Sequence, residues 1–172
     1  MNFKKEIIIR KGSNNDIKSM YKLVEELAIH HKHNPDYIDN SPEQMLADGF
    51  GDKPYFRFFV AEDNGEIVGT AIYYFTYSTW KGKSLYLEDL IITKSHRGKG
   101  IGKLFMEALS EEVIKCGAQK MKWQVAEDNH SAIGFYENID AELDPDWINC
   151  ELSRKQIENA MKAKNEETLV SV

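Results

Sequence analysis

From Ser84 to Val113 the chain reads SLYLEDLIITKSHRGKGIGKLFMEALSEEV. An apolar run gives way to glycines at alternate positions, Gly98, Gly100 and Gly102. Ile101, Leu104, Phe105, Ala108 and Leu109 then recur at helical spacing, up to Gly117. This pattern predicts a strand that turns through a glycine loop directly into an amphipathic helix. The loop amides and the first-turn amides of such a helix point outward, where the helix dipole favours negative charge. The element is either a ready anion site or a glycine-rich turn without a ligand, and it commits the surrounding chain to a layered sheet-and-helix arrangement.

Three glycine motifs share this logic. The dinucleotide fingerprint needs glycine at its first, third and sixth positions. Gly98 and Gly100 satisfy the first two, but Lys103 stands at the sixth. The phosphate loop of nucleoside triphosphatases needs an opening glycine and a closing Gly-Lys-Ser/Thr. Here Arg97 opens and Leu104 closes, so that motif fails at both ends. What remains is Arg97-x-x-Gly100-x-Gly102.

The other segments place strands and helices around this unit. EIIIRK (Glu6 to Lys11) reads as a buried first strand. Ser13 caps a helix with Asp16 near its positive end, and Ile17, Met20, Tyr21, Val24, Leu27 and Ala28 give that helix one apolar face. It runs out at HHKHNP. A second helix starts at Ser41-Pro42 and stops at Gly49. Asn64-Gly65 marks a tight hairpin between strands Tyr55 to Glu62 and Glu66 to Tyr77. The apolar run around Leu87 to Ile92 reads as a central strand covered on both faces. QKMKWQVA is a further strand, NHSAIGFYEN a short helix and DWINCEL a last strand. Ser153 with Gln156 caps a C-terminal helix, and KNEETLVSV frays. The order β-α-α-β-β-β-α-β-α-β-α predicts an α/β fold with a central mixed, mostly antiparallel sheet and helices on both faces.

At 172 residues, without repeat or linker, the chain is expected to form a single domain, 1–172. Its net charge of -6 argues against binding nucleic acid, which needs a basic face, and suits a cationic substrate. Cys116 and Cys150 lack metal-motif spacing and read as reduced packing residues. The apolar run near the N-terminus is too short for a signal-peptide core, and no segment has the length of a membrane span. A cytoplasmic protein is expected.

The Arg97-x-x-Gly100-x-Gly102 signature resembles that of the GNAT N-acetyltransferase family, whose loop amides cradle the pyrophosphate of coenzyme A. A second segment strengthens the likeness: Asn129, Ala132, Phe135 and Tyr136 match the family's Asn-x-x-Ala-x-x-Phe-Tyr pattern. Asp140 stands where the family usually has glycine. The resemblance covers about residues 6–152, leaving 153–172 as a C-terminal helix and tail. It implies acetyl-CoA as cosubstrate and the acyl-CoA N-acyltransferase fold. LADGFG, AIYYFTY, YLEDLII and KWQVAEDN are more narrowly similar to the diamine (spermidine/spermine) and thialysine acetyltransferases. That subfamily implies a small aliphatic amine as acceptor, attacked directly in a ternary complex, and a homodimer.

Carried onto this chain, the resemblance gives Leu90, Ile91 and Ile92 as backbone partners of the pantetheine arm. Arg97, Gly98, Lys99, Gly100, Ile101, Gly102 and Lys103 hold the pyrophosphate. Asn129 caps its helix or contacts the arm, with Ala132 beside it. Tyr136 protonates the departing thiolate. Glu88 sits by the amine as its proton acceptor, and Asp89 adds negative charge. The chemistry supports these roles: an alkylammonium of pKa about 10 must lose its proton to attack, and a buried carboxylate both binds and deprotonates it. Strand alternation puts Glu88 and Asp89 on opposite faces. Trp80 is either a packing residue in a turn or an apolar wall of the amine pocket. His30 and His31 replace a tyrosine and a glutamate that face the substrate in the polyamine enzymes, and Ser78 replaces an aspartate. These changes imply a shorter or less cationic acceptor. The histidines read as a solvated helix end, not a metal site. The competing functions are a peptide or protein lysine or N-terminal acetyltransferase and a non-catalytic acyl-CoA sensor.

Overall fold

The computed structural model describes residues 7–170. They fall into two compact units, the first ending at Gln124 and the second beginning at Val125.

In the first unit, β1 (Ile8–Lys11), β2 (Arg57–Asp63), β3 (Glu66–Ser78), β4 (Gly82–Ile92) and β5 (Lys120–Lys122) form one sheet in sequence order. Glu6, expected at the start of β1, lies outside the described residues. The first three pairings are antiparallel and β4–β5 is parallel, as a mixed sheet requires. The β2–β3 turn is the expected tight one: Asn64 (φ 53°) and Gly65 (φ 84°) both take the left-handed region.

Helix α1 (Ile17–His30) covers one face of the sheet. Its Ile17 and Met20 pack with Phe58, Val60 and Ile72 into a buried cluster. Residues alternating with these, Arg57 and Tyr73, point to the other face, where α3 (Ile101–Lys115) lies. There Glu112 of α3, buried, meets Lys11 Nζ at 3.2 Å and an Arg57 nitrogen at 3.4 Å. Burial opposes ionisation of Glu112, but the bond from Lys11 and the neighbouring cations outweigh it and hold its pKa below the usual range. Phe105 of α3 lies against Gly69, where an added Cβ would sit 3.1 Å from its ring and 2.8 Å from the Ile91 carbonyl. Each fully buried side chain of this size stabilises the fold by about 1.5–3 kcal/mol.

The start of α1 is tied down by charge. Asp16 accepts from the Ser13 amide and hydroxyl (2.8 and 2.7 Å) and forms a two-pronged pair with Arg10. That pair holds the Asp16 carboxyl far below its ordinary pKa. Helix α2 (Pro42–Phe50) starts as expected, with Ser41 Oγ accepting from the Gln44 amide at 3.1 Å. It ends two residues later than predicted: Gly51 closes it, while Gly49 is helical and has the Phe56 ring packed where a side chain would be.

Two strand expectations are corrected here. The segment around Trp123 contributes only the three residues of β5, because a β-bulge in β4, described below, bends that strand just beyond the last pair. Strand β4 is central, yet it is not covered on both faces: Tyr86 is half-buried and Glu88 exposed.

The second unit holds α4 (His130–Glu137) and α5 (Arg154–Val170). Asn129 caps α4, its side chain accepting from the Ala132 amide at 3.2 Å. Asp140 takes φ 58°, the left-handed turn that glycine serves most easily and that aspartate tolerates better than most residues. Ser153 and Gln156 form the expected reciprocal cap, with bonds of 2.7–3.3 Å. The predicted last strand at Asp146 to Leu152 does not form among the described residues. Trp147, Ile148 and Leu152 are exposed, so the segment has apolar content without a buried alternating face. Cys150 is exposed as well, and is not the packing residue expected. The tail expected to fray is helical to Val170, consistent with its Lys and Glu helix formers; Ser171 and Val172 lie outside the described residues.

Candidate active site

The decisive local feature is an irregularity in the β3–β4 ladder. Tyr73 pairs with Leu87, but its neighbour Ile72 pairs with Asp89, so Glu88 is an extra residue in β4. A bulge of this kind shifts the period-two alternation by one. Tyr86 and Glu88 belong to the face of Tyr74, which is the α1 face; past the bulge Asp89 opposes Ile72 and joins that same face. The two carboxylates are thus brought together, where simple alternation had separated them.

Their environments differ. Glu88 is exposed, and the Tyr74 hydroxyl donates to its Oε2 at 3.0 Å. Burial pushes the Tyr74 phenol up to about 12, helped by the bond to Glu88. Asp89 is more deeply placed: burial, with the Glu88 charge second, pushes its pKa up to about 6. An exposed carboxylate beside a buried one whose pKa is raised can bind a cation and exchange a proton. The rings of Tyr74 and Tyr86 lie 5.2 Å apart beside them, and the Lys122 ammonium sits 5.6 Å over the Tyr86 ring. This face attracts ammonium groups by both charge and π-electron density. Sequence reasoning missed Tyr74 and Tyr86. Their signal was the alternation in AIYYFTY and SLYLED, which puts both on one face with Glu88.

The cosubstrate side begins where the β4–β5 ladder ends. Pairing on that edge stops at Tyr86 with Lys122, so Leu90, Ile91 and Ile92 pair with β3 alone, opposite Ala71, Thr70 and Gly69. Among the described residues no strand pairs on their other edge, where the Ile92 carbonyl is taken by the Arg97 side chain. After Ile92 the chain turns through Lys94 to His96 into the glycine loop. Gly98 (φ 73°) and Gly100 (φ 82°) take left-handed backbone, and nothing lies within 4 Å of where a Cβ would stand on either. These glycines serve the turn, leaving the loop surface clear. The first intrahelical bond runs from the Leu104 amide to the Gly100 carbonyl, which leaves the amides of Ile101, Gly102 and Lys103 at the helix start facing the loop. Lys99, Lys103 and Arg97 are exposed around it. The Arg97 side chain folds back, Nε donating to the Ile92 carbonyl at 2.9 Å. Amides at a helix start with a cationic rim fit a pyrophosphate.

The other sequence candidates are spread wider. In the second unit, Asn129 caps α4 through the Ala132 amide, and Tyr136 is buried, which pushes its phenol up and keeps it protonated through the neutral range. Trp80 is 91% exposed in the β3–β4 turn, at the end of β4 remote from the glycine loop. It is therefore no packing residue of this chain, and Ser78 Oγ accepts from its amide and that of Lys81. His30 and His31 are exposed at the end of α1, their rings 5.4 Å apart. Among the described residues no group of three or more His, Cys, Asp or Glu is placed to hold a metal ion. A cavity of about 260 Å³ between Lys11, Arg57, Tyr73 and the Phe50, Phe56 and Phe58 rings contains none of the candidate residues.

The model of the acetyltransferase (GNAT) family matches residues 19–140. The chain belongs to that family. A thialysine N-epsilon-acetyltransferase of Bos taurus is 34% identical over 144 residues, 79% of this chain and 84% of that protein. A spermidine/spermine N(1)-acetyltransferase-like protein of Homo sapiens is 32% identical over 159 residues, 87% of this chain but 23% of that longer protein. The solved structure of an aminoglycoside N-acetyltransferase in complex with CoA superposes with a TM-score of 0.71 at 16% identity, covering 90% of this chain and 99% of that one. The fold is the α/β acyl-CoA N-acyltransferase fold. The protein is an acetyl-CoA-dependent N-acetyltransferase acting on amines. Among the described residues no helix is long and apolar enough to cross a membrane.

Proposed function

We propose that the chain transfers the acetyl group of acetyl-CoA to the primary amine of a small aliphatic acceptor, by direct attack in a ternary complex. The observation that carries this reading is the bulge at Glu88, which sets two carboxylates and two tyrosine rings on one face of β4. The names of the thialysine and spermidine/spermine relatives support the same acceptor class.

Glu88 and Asp89 draw in the ammonium, and Glu88 takes one of its protons, directly or through water. The freed amine nitrogen bonds to the thioester carbonyl carbon. Amides along Leu90 to Ile92 bind the pantetheine arm and steady the developing oxyanion. As the C–S bond breaks, Tyr136 donates its phenolic proton to the thiolate, and the surplus proton on the new amide nitrogen leaves to restore it. Gly98 to Lys103, with Arg97 and Lys99, hold the pyrophosphate throughout, and Asn129 and Ala132 order the start of α4. The two units work as one acetyltransferase domain, and the exposed Trp147, Ile148 and Leu152 support association with a second copy. Trp80, His30 and His31 line the approach of the acceptor.

The test is CoA thiol release against spermine, spermidine, putrescine, thialysine, lysine and a lysine-containing peptide. Saturable turnover of one or more small amines is the expected result. Turnover of the peptide alone would replace the acceptor class, and CoA binding without turnover of any would favour a sensor.

A further inference from the structure

The glycine loop is reached through a segment that makes bonds the acetyl transfer does not require. His96 lies in the turn just before Arg97, its ring mostly enclosed, and its Nε2 stands 3.2 Å from Asp63 Oδ2. Asp63 is the last residue of β2, at the mouth of the β2–β3 hairpin, thirty-three positions away in the chain. The other ring nitrogen, Nδ1, is 2.9 Å from Ser95 Oγ. A carboxylate only accepts, so Nε2 carries the hydrogen that it donates to Asp63. Both ring nitrogens are thereby engaged, and the imidazole is fixed in orientation between the hairpin and the turn.

Two further bonds secure the same segment. The Thr93 amide donates to the Val68 carbonyl of β3 at 2.9 Å, and Arg97 Nε donates to the Ile92 carbonyl of β4 at 2.9 Å. Residues 93–97 are therefore attached to β2 through a side chain, to β3 through the backbone and to β4 through Arg97. Beyond them, nothing lies within 4 Å of the Cβ positions of Gly98 and Gly100, so no neighbour packs on those two glycines from the side-chain direction. Such glycines leave the direction of the loop to its two ends. One end is α3; the other is the segment clasped by His96.

We infer that Asp63 and His96 are positioning residues: their clasp between the β2–β3 hairpin and the turn fixes the approach of the anion loop and so sets the affinity for acetyl-CoA. Neither residue touches the pyrophosphate. The inference rests on the reading that Arg97 to Lys103 bind it, and its test separates the two.

Amide hydrogen exchange is measured on the unliganded wild type and on the H96A, D63A and D63N variants, followed by CoA affinity by calorimetry and steady-state kinetics. The expected result is faster exchange at Gly98, Lys99 and Gly100 in H96A and D63A. With it should come a five- to tenfold rise in the CoA Kd and acetyl-CoA KM, while kcat stays within twofold. D63N, whose amide oxygen still accepts from Nε2, should recover most of the wild-type behaviour. Unchanged exchange at the loop in both alanine variants overturns the clasp, whatever the kinetics show. Equal losses in kcat and KM, or exchange raised throughout β2 and β3, overturn it as well, because they mark general destabilisation. A wild type that does not bind CoA would sink the loop reading on its own, and the exchange comparison would still decide the clasp.

Discussion

The two halves of the site are built from different materials. On the proposed cosubstrate side, from Leu90 to Lys103, recognition would lie in backbone: a strand edge that no strand covers among the described residues, two left-handed glycines and the amides of a helix start. On the proposed acceptor side, around Glu88, it would lie in side chains, namely two carboxylates and two tyrosine rings placed by a bulge. Backbone recognition tolerates most side-chain change but little conformational change, and side-chain recognition is the reverse. This explains how one fold keeps its cosubstrate while its members differ in acceptor.

The contrast can be broken by experiment, beginning with the proposed proton donor. Tyr136→Phe should lower kcat by about 100-fold or more while leaving the CoA Kd within twofold, since only the phenolic proton is removed. Unchanged turnover would end its assigned role. Glu88→Gln should come next, lowering kcat/KM for the amine by roughly 30-fold at neutral pH, with the loss shrinking as pH approaches the amine's own pKa. A pH–rate profile that kept its wild-type shape would transfer the base role to Asp89. Gly100→Val tests the backbone half: a β-branched residue at φ 82° costs about 1–3 kcal/mol, so the CoA Kd should rise by about tenfold with the amine KM unaffected. Equal damage to both substrates would show that the halves are not separable.

The smallest change in activity is expected from Asp89→Asn, and its clearer signature is stability. The folded state holds the Asp89 proton up to about pH 6, by burial first and the Glu88 charge second. Folded Asp89 therefore binds its proton more tightly than the unfolded chain does. Its ionisation destabilises the fold progressively as pH rises from the ordinary aspartate range to about 6, and the full effect persists above that. Asp89→Asn should raise stability at pH 7 by about 3 kcal/mol, and the gain should vanish near pH 3. Thermal melts across that range would check it, and a gain independent of pH would contradict the burial of the charge.

What could be read in advance follows the same division. The glycine loop and the helix after it are local, fixed by φ preferences and 3.6-residue periodicity, and both were legible from Gly98 to Leu109. The same was true of the hairpin at Asn64-Gly65 and the caps at Ser41 and Ser153. The bulge was not legible, because it is a property of how two strands align: nothing in YLEDL announces that Ile72 will skip Glu88 and meet Asp89. That one misalignment inverted the expected separation of the acids. The short β5 and the absent strand at Trp147 were missed for a related reason, since β-propensity describes a residue's liking for a pleated surface and not the presence of a partner. Trp80 shows the limit in miniature: an aromatic residue in a turn reads equally as core or wall until its exposure is known.

Glu88 has a consequence beyond its charge. In a code of period two, one inserted residue acts as a change of reading frame. Before it, odd-numbered residues of β4 such as Leu85 and Leu87 face α3; after it, even-numbered ones do, and Leu90 and Ile92 oppose Ala71 and Gly69. Deleting Glu88 would remove a carboxylate and also restore the old frame, turning Asp89, Leu90, Ile91 and Ile92 each to the opposite face. The acid proposed to meet the amine is thus also the punctuation mark that sets the frame of the strand on either side of it.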